Sequence, residues 1–422
     1  MAKLRVVVDV SVVGLAQLYE TARTGIYRVI SSLIPAMVQL PGPELRFTSL
    51  SSTEINLLTE AYFRDHAWSE HFLGPGIAER RLFALARSAN VLDRKQILQR
   101  LVARLFRKSN QRALTASMDI FHSTFGPIPQ LRDWPMSFLT IYDMIPVLHP
   151  EYFWQDFDAE FTRILDSVHP GRDRILTISE SSKNDICAYF NCDPSLVYVA
   201  YPAADRSLYF PDRDERRRHM ILQKYNIPGA GYFLTLATLE YRKNLRASIE
   251  AFRKVLREPG MRDRSLVLVG TRGWKIRELL DEVASDPLLQ QRVLFTGYVA
   301  DEDVSALYSN AVAFLYPSLY EGFGLPPLEA MQCGVPVITS NTSSLPEVVG
   351  QAGIMVKPTD TDALAQAMLD ICNDAALRDR MIERGLQQAS RFSWHRCARQ
   401  TVAAYEHAFS GRQASGERSG GY

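Results

Sequence analysis

Two glutamates eight positions apart, Glu321 and Glu329, are the residues whose type and spacing most directly suggest chemistry. An apolar run at residues 311–316 precedes them and predicts a buried parallel strand. Pro327 favours a helix start, because the N–H that proline lacks has no partner there. We therefore expect Glu321 in a strand-to-helix loop and Glu329 in the first helical turn, beside free backbone amides that can hold an anion.

Two hydroxyl acceptors beside an anion site suit a sugar nucleotide. The plain alternative is an ordinary strand, loop and helix in which Glu329 complements the helix dipole. A cation pair, Arg242 and Lys243, favours the sugar nucleotide, because it follows a predicted strand at residues 232–237 and can neutralise a diphosphate. A solvated start of the helix at residues 245–256 is the alternative for this pair, although the helix dipole disfavours cations there.

Three candidates lie in the first half of the chain. Gly25 begins a helical pattern. Backbone amides there could contact the phosphates of the sugar nucleotide from a second domain, opposite the one that carries Glu321. Asp143 follows a predicted strand at residues 138–142, and His122 ends another at residues 119–122, so both should point into the cleft where an acceptor would sit. A capping role stays open for both, because polar residues at strand ends commonly cap the next element.

Four aspartate pairs have the Asp-x-Asp spacing that holds a divalent ion in many sugar-nucleotide enzymes: Asp156/Asp158, Asp212/Asp214, Asp301/Asp303 and Asp360/Asp362. The last two pairs begin helical patterns, which capping explains, and the other two lie in an aromatic stretch and a boundary segment. We therefore predict no metal and no other cofactor. Ser344 and Glu347 have the spacing of a helix capping box.

Length and composition describe an ordinary globular protein of two domains. The chain has 422 residues, 46% of them hydrophobic, and a net charge of +1, which gives no bias toward nucleic acid. Five scattered cysteines without Cys-x-x-Cys spacing argue against zinc and for a reducing compartment. No apolar run is long enough to span a bilayer, so we predict a cytoplasmic protein. A basic amphipathic pattern at residues 96–108 predicts either a helix on an anionic membrane, which would make the protein peripheral, or a core-packed helix with a solvated basic face.

Apolar runs alternate with helical patterns, which predicts an α/β protein with two doubly wound, Rossmann-like domains facing a central cleft. The predicted strands lie at residues 4–10, 119–122, 138–142, 174–179 and 197–200, and then at 232–237, 265–269, 293–296, 313–316 and 335–339. A charged, proline-containing segment at residues 201–228 marks the boundary between the two sets.

The second half of the chain resembles glycosyltransferase family 4, the retaining group 1 glycosyl transferases of GT-B fold. The likeness covers residues 230–408 and rests on motifs in family order: Thr238-Leu-Glu-Tyr-Arg-Lys-Asn244, Leu268-Val-Gly270, Phe295-Thr-Gly-Tyr-Val299, Pro317-Ser-Leu-Tyr-Glu-Gly-Phe-Gly-Leu-Pro-Pro-Leu-Glu-Ala330, Cys333-Gly-Val-Pro-Val337 and Ser344-Leu-Pro-Glu-Val348. It implies an N-terminal acceptor-side domain (1–205), a sugar-nucleotide domain (206–395) and a helix crossing back to the first domain (396–410). We predict a disordered tail at residues 411–422.

The resemblance also implies roles for single residues. Glu321 would lie near the donor sugar, Arg242 and Lys243 on the diphosphate, and Glu329 on the ribose diol. The other implied donor contacts are the amides of Gly322, Phe323, Gly324 and Leu325, and Tyr298 with Val299 beside the base. Where many members have His-Asp this chain has Tyr142-Asp143, so Asp143 becomes the catalytic candidate, and Tyr142 and His122 are the acceptor-side candidates.

These expectations describe a metal-independent retaining hexosyltransferase, with mannosyl transfer from GDP-mannose favoured. Its acceptor would be a saccharide or lipid-linked saccharide of a bacterial surface polysaccharide. The alternatives are a sugar-nucleotide 2-epimerase of the same fold and a non-catalytic sugar-nucleotide-binding module.

Overall fold

The computed structural model describes residues 3–19, 25–77, 80–81, 118–129, 134–153, 157–229, 231–271, 273 and 276–414. The basic pattern at residues 96–108 lies outside these residues, as does the predicted tail from residue 415 onward. No helix in the described part of the chain is both long and apolar enough to cross a membrane.

Seven parallel strands form the sheet of the N-terminal domain: β1 Arg5–Asp9, β2 Glu44–Thr48, β3 Phe72–Leu73, β4 Ile120–Ser123, β5 Met136–Thr140, β6 Arg174–Thr177 and β7 Val197–Val199. Their order is β3-β2-β1-β4-β5-β6-β7. Six parallel strands form the second sheet: β8 Tyr232–Leu236, β9 Ser265–Val269, β10 Val293–Gly297, β11 Ala313–Tyr316, β12 Val337–Ser340 and β13 Ile354–Val356. Their order is β10-β9-β8-β11-β12-β13.

The strand order reverses between β1 and β4 in the first sheet and between β8 and β11 in the second. Ligands of such sheets bind outside the carboxyl ends of the strands at this reversal. Every residue of β9 and of β11 is buried, as expected for strands covered on both faces by helices. The predicted α/β fold with two doubly wound domains is therefore confirmed.

Helices cover both faces of each sheet. In the N-terminal domain they are Ser11–Leu18, Gly25–Val38, Thr53–Asp65, Ile145–Leu148, Phe157–Leu165 and Glu180–Phe190. In the C-terminal domain they are Glu215–Lys224, Leu245–Val255, Arg277–Ser285, Pro287–Arg292, Asp301–Asn310, Leu325–Gln332, Leu345–Val349, Thr361–Asn373 and Ala375–Ser390.

The last helix, Trp394–Ala414, packs against the N-terminal domain. Its Ala398 and Tyr405 belong to the same buried core as Val8 and Ile34. The helix extends beyond the range of 396–410 given to it above, so residues 411–414, predicted to be disordered, are helical.

The predictions missed three strands: β2, β3 and β13. Charged Glu44 and Arg46 interrupt the apolar pattern of β2, while β3 has only two residues and β13 three. The strand expected at residues 335–339 begins later, at Val337, because Pro336 has no N–H for a ladder hydrogen bond. Propensity patterns lose their signal in elements this short.

Candidate active site

A short 3-10 turn after β8 positions the two cations. The turn spans Tyr241–Lys243 and ends at Asn244, whose φ of 56° is left-handed. The side-chain amide of Asn244 donates to the carbonyls of Pro317 and Pro358, at 2.9 and 2.7 Å. These bonds tie the turn to the neighbouring strand ends, so the cations project beside the loop that follows β11.

The loop after β11 folds back onto the same turn. The carbonyl of Arg242 accepts hydrogen bonds from Oγ of Ser318 at 3.0 Å and from the amide of Leu319 at 2.9 Å. Ser344 holds the far side of this loop by donating from Oγ to the carbonyls of Glu321 and Phe323, at 2.9 and 2.7 Å. The backbone that carries Glu321 is thus fixed from both sides.

Arg242, Lys243 and Glu321 form one buried cluster, here called the ion-pair cluster. Nζ of Lys243 lies 2.7 Å from Oε1 of Glu321, and Nη1 of Arg242 lies 2.7 Å from Oε2. Ser318 also donates to Oε1 of Glu321, and Lys243 donates to the hydroxyl of Tyr316 at 2.6 Å. The structure therefore brings together three predicted residues from two separate strand ends.

Electrostatics keep the Glu321 carboxylate charged. Burial alone would raise the pKa of Glu321, but Arg242 and Lys243 outweigh it and lower this pKa to about 2. Burial and the nearby Arg242 lower the pKa of Lys243. Arg242 also donates to Oε1 of Glu240 at 2.7 Å, so two carboxylates balance the two cations. Among the described residues, Tyr316 and Glu321 accept hydrogen bonds from two of the three N–H groups of the Lys243 ammonium.

The helix after the glycine loop begins two residues earlier than predicted. Gly324, at φ 107°, is its N-cap, and the helix spans Leu325–Gln332. Pro326 and Pro327 then occupy its first turn and contribute no N–H, so the amides available for an anion at this end come from residues 322–325. Glu329 is the fifth helical residue and lies beyond the first turn, which corrects the expected placement.

Glu329 is only 4% exposed and lies among aromatic hydroxyls. The hydroxyl of Tyr308 lies 3.3 Å from its Oε2, and Tyr209 also bonds to it. Burial raises the pKa of Glu329 to about 7, although Arg28 and the two tyrosines pull in the opposite direction. This carboxylate changes charge near neutral pH, unlike Glu321.

The N-terminal domain meets the loop at Gly322. A Cβ placed on Gly322 would lie 2.8 Å from Oδ2 and 2.9 Å from Cβ of Asp143, so only glycine allows this approach. The Gly322 carbonyl accepts from Oγ of Ser179 at 2.7 Å and from Oγ of Ser182 at 3.2 Å. Burial raises the pKa of Asp143, while Arg242 lowers it in part. Asp143 therefore lies beside residues 322–325, the predicted donor-binding segment, here called the donor loop.

Glu347 forms hydrogen bonds between the two domains and does not cap the helix Leu345–Val349 on which it lies. Its Oε2 accepts from the amide of Glu180 at 2.9 Å and its Oε1 from the amide of Ser181 at 3.0 Å, while Tyr201 donates to Oε2 at 3.0 Å. Ser344 makes no side-chain cap either. The predicted capping box is wrong, because the Glu347 carboxylate binds instead at the amino end of the helix Glu180–Phe190.

His122 does not reach the cleft as predicted. It is 1% exposed, with Nδ1 2.6 Å from the hydroxyl of Tyr405 and Nε2 2.8 Å from Oγ1 of Thr140. Burial lowers its pKa to about 3. One ring nitrogen is hydrogen-bonded to the last helix and the other to strand β5, so His122 has a structural role where this helix packs on the N-terminal domain. Tyr142 is partly buried against the same core, and burial raises the pKa of its hydroxyl.

The remaining candidates occupy varied environments. Tyr298 is 68% exposed and Val299 is 4% exposed, at the end of β10. Phe323 packs inward, with its ring 5.8 Å from that of Phe392. Leu325 is partly buried. Gly25 begins the helix Gly25–Val38, and a Cβ there would meet no described atom within 4 Å.

The described aspartates of these pairs cap helices or form ion pairs. Asp301 corrects the expected capping role, because it is the first helical residue, makes no cap and pairs with Arg28 of the N-terminal domain. Asp214 and Asp360 cap helices, and Asp212 pairs with Arg217. Asp303 pairs with Lys224 at 2.6 Å. Within the described ranges, no three His, Cys, Asp or Glu side chains are grouped so that they could hold a metal ion.

Sequence reasoning missed Arg28, Ser318 and Tyr316 as site residues. Arg28 lies in the helical pattern that Gly25 begins, Tyr316 ends the apolar run at residues 311–316, and Ser318 lies in the motif Pro317–Ala330. The available signal was proximity along the chain: Arg28 lies three positions from Gly25, and Ser318 and Tyr316 lie three and five positions before Glu321. Glu347 carried no such signal, because its partners come from the other domain.

A sequence model of the family described as "Glycosyl transferases group 1" matches residues 218–388. The chain is similar to O-antigen chain mannosyltransferase B of Escherichia coli, with 40% identity over 267 residues that cover 63% of this chain and 69% of that protein. It is 31% identical over 265 residues to the serotype-specific mannosyltransferase WbdA of Escherichia coli, which covers 63% of this chain but only 32% of that protein.

Among solved structures, the chain is similar to a sucrose-phosphate synthase from Thermosynechococcus elongatus. The TM-score is 0.64 at 18% sequence identity, and the match covers 97% of this chain and 100% of that chain. At this identity the likeness concerns the fold.

Proposed function

Because the chain belongs to the group 1 glycosyl transferases and has their GT-B fold, we propose that it transfers a hexosyl group from a nucleoside-diphosphate sugar to a saccharide hydroxyl, with retention of anomeric configuration. One observation carries this proposal. Arg242 and Lys243 are held at 2.7 Å from the two oxygens of Glu321, at the carboxyl ends of parallel strands. This is where α/β sheets bind ligands.

The acceptor oxygen forms a bond to the anomeric carbon while the bond between that carbon and the diphosphate breaks. Negative charge builds on the leaving diphosphate, which takes up the proton of the acceptor hydroxyl. Arg242 and Lys243 stabilise that charge, and Glu321 fixes both cations in advance, so little reorganisation is needed when the bond breaks. Glu321 also orients the sugar and stabilises the positive charge that develops in its ring. Asp143 approaches the same point from the N-terminal domain, on the acceptor side.

The nucleotide occupies the other end of the loop. Glu329 binds the ribose diol through its carboxylate, and the amides of residues 322–325 contact phosphate and sugar hydroxyls. Tyr298 and Val299 lie beside the base. Gly25, at the start of a helix in the N-terminal domain, adds backbone amides on the phosphate side.

We favour mannose as the transferred sugar and GDP-mannose as the donor. The support is that both Escherichia coli relatives reported above carry the name mannosyltransferase, and one is an O-antigen chain enzyme. The acceptor class that follows is a growing bacterial surface polysaccharide, free or lipid-linked. The basic pattern at residues 96–108 is our candidate for contact with an anionic membrane, and co-sedimentation with vesicles of increasing anionic lipid content tests it.

We further propose that no metal is required, because two positioned cations supply the charge that a divalent ion would supply. The test is incubation of the protein with GDP-mannose and a mannose-terminated oligosaccharide in excess EDTA, followed by NMR of the product. An α-linked mannosyl product from the α-linked donor supports retention without metal. A β-linked product, or activity that returns only with a divalent ion, contradicts it.

A 2-epimerase of the same fold is the second candidate, because the buried carboxyl of Asp143 approaches the donor loop from the opposite domain. Incubation of each donor without acceptor distinguishes the two functions. An epimerised sugar nucleotide indicates the epimerase, whereas slow release of free sugar and nucleoside diphosphate indicates the transferase. A protein that only binds the nucleotide gives neither product.

A further inference from the structure

Arg28 reaches from the N-terminal domain into the C-terminal domain. It lies on the helix Gly25–Val38, and its Nη2 is 2.6 Å from Oδ1 of Asp301. Its Nη1 donates to the hydroxyl of Tyr209 at 3.1 Å. The Arg28 and Asp301 side chains keep 43% and 40% of their surface exposed, so this ion pair alone contributes little to stability.

A hydrogen-bonded path connects Arg28 to Glu329. Tyr209, only 4% exposed, accepts from Arg28 and also bonds to the Glu329 carboxylate. Tyr308 bonds to the same carboxylate, and the two tyrosine rings meet edge to face with centroids 6.3 Å apart. The path therefore begins on a helix of one domain and ends at a buried carboxylate of the other.

The charge of Arg28 also acts on the ionisation of Glu329. Of the influences that favour the ionised form of Glu329, Arg28 is the strongest, and Asp301 opposes it. Burial raises the Glu329 pKa to about 7, so the charge of this carboxylate at neutral pH depends on its neighbours. A cation that arrives on the other domain acts on Glu329 only when the two domains are together.

We propose that Arg28 is a positioning residue for nucleotide recognition: through Tyr209 it orients the Glu329 carboxylate, so that the ribose diol is bound tightly only when the N-terminal domain is in place. The inference rests on the proposed function, since it takes Glu329 as the residue that binds the diol. It adds a link between domain contact and diol recognition.

The test is calorimetric binding of GDP and of 2′,3′-dideoxy-GDP to the full chain, repeated with the UDP pair. Because the two ribose hydroxyls of GDP donate hydrogen bonds to the charged Glu329 carboxylate, the wild type should bind GDP roughly tenfold or more tightly than 2′,3′-dideoxy-GDP. In Arg28→Met the preference should fall to less than about threefold, mainly through weaker GDP binding. Arg28→Lys should keep part of it, and Asp301→Asn, which removes the ion pair but leaves the path, should keep most of it.

The outcomes separate the inference from its premise. If the wild type binds both members of each pair equally, Glu329 does not bind the diol. The proposed role of Glu329 and the positioning role of Arg28 are then both wrong. If Arg28→Met keeps the wild-type preference while binding both nucleotides more weakly, Arg28 is only a structural contact and the inference alone falls. Loss of the preference in Asp301→Asn to the same extent as in Arg28→Met also overturns it.

A pH series gives an independent readout. The charged and titratable groups around Glu329 are Arg28, Asp301, Tyr209, Tyr308 and Cys333. The wild-type preference for GDP over 2′,3′-dideoxy-GDP should rise with pH through about 7, because the ionised carboxylate accepts the diol hydrogen bonds, and the ratio of the two affinities cancels the titration of the diphosphate that both ligands share. Without the cation the midpoint should move to higher pH in Arg28→Met, and an unchanged midpoint contradicts the inference.

Discussion

Nζ of Lys243 lies 2.7 Å from Oε1 of Glu321, although the two residues are 78 positions apart and follow different strands. Strands β8 and β11 are neighbours in the sheet, so their carboxyl ends bring the residues together. The contact fixes a cation before any ligand arrives, which is the condition for strong electrostatic stabilisation of a leaving group. In the proposed reaction the diphosphate would share Lys243 with Glu321.

Glu329→Gln should make the unliganded protein more stable than the wild type at pH 8. Glu329 has a folded pKa of about 7 against an ordinary value of 4.5, so the unfolded chain loses this proton first as pH rises. The wild type thus loses stability between about pH 4.5 and 7, by roughly 3 kcal/mol for a shift of this size.

Thermal unfolding at pH 5 and pH 8 measures this effect. The Tm of Glu329→Gln minus that of the wild type should be larger at pH 8, and nucleotide binding should be weaker in the variant. Exposed Glu258 provides the control, since Glu258→Gln should show no such pH-dependent difference. An equal Tm difference at both pH values contradicts a raised pKa of the buried Glu329 carboxyl.

Gly322→Ala should separate the donor loop from the N-terminal domain. Its new Cβ would lie 2.8 Å from Oδ2 and 2.9 Å from Cβ of Asp143, closer than side chains tolerate. We expect a loss of kcat of tenfold or more, since small displacements at a reacting centre are costly. Steady-state kinetics check this, with Gly171→Ala as the control because no described atom lies within 4 Å of a Cβ there. Wild-type kcat in Gly322→Ala would show that Asp143 and the loop need not approach each other.

His122→Ala should lower stability and leave the chemistry intact. It removes two buried hydrogen bonds, to Tyr405 and Thr140, and leaves a cavity, which together cost roughly 2–4 kcal/mol. Denaturant unfolding measures the loss, and kinetics below the melting transition should give KM and kcat near those of the wild type. A large fall in kcat with unchanged stability would return His122 to the acceptor site.

Glu347→Ala should shift the protein toward domain separation. The variant loses the carboxylate that bonds to the amides of Glu180 and Ser181 and to the Tyr201 hydroxyl. Hydrogen bonds to a charged group are worth about 1.5–3 kcal/mol each, so the balance between joined and separated domains should move measurably. Small-angle scattering should show a larger radius of gyration than in the wild type and in Glu258→Ala. Equal radii for all three proteins would rule out this role for Glu347.

Local patterns predicted the fold and the residues nearest the proposed chemistry, because strand ends and glycine loops are encoded within a few positions. Contacts between distant segments were not predictable in this way. The position of His122 at a strand end predicts a cleft residue, but its partner Tyr405 lies 283 positions away and leaves no local signal. The spacing of Glu347 to Ser344 fits a capping box, whereas the amides that bind its carboxylate lie 166 and 167 positions away.

The helix start illustrates a finer limit. Pro327 is a favourable first residue, but Gly324 adopts a left-handed φ of 107° and starts the helix at Leu325. A sequence pattern shows that a helix begins near a proline, and the backbone conformation of the preceding glycine decides at which residue. The two-residue shift moves Glu329 out of the first turn and into a buried site beside Tyr308.

The turnover of GDP-mannose by Lys243→Ala, compared with the wild type and with Lys254→Ala, tests the role of the ion-pair cluster most directly. Lys254 forms a surface ion pair with Asp362 and serves as the matched lysine control. We predict that kcat falls roughly 10²-fold or more in Lys243→Ala and stays at the wild-type level in Lys254→Ala. Wild-type turnover by a folded Lys243→Ala protein would contradict the assignment of this cluster to hexosyl transfer.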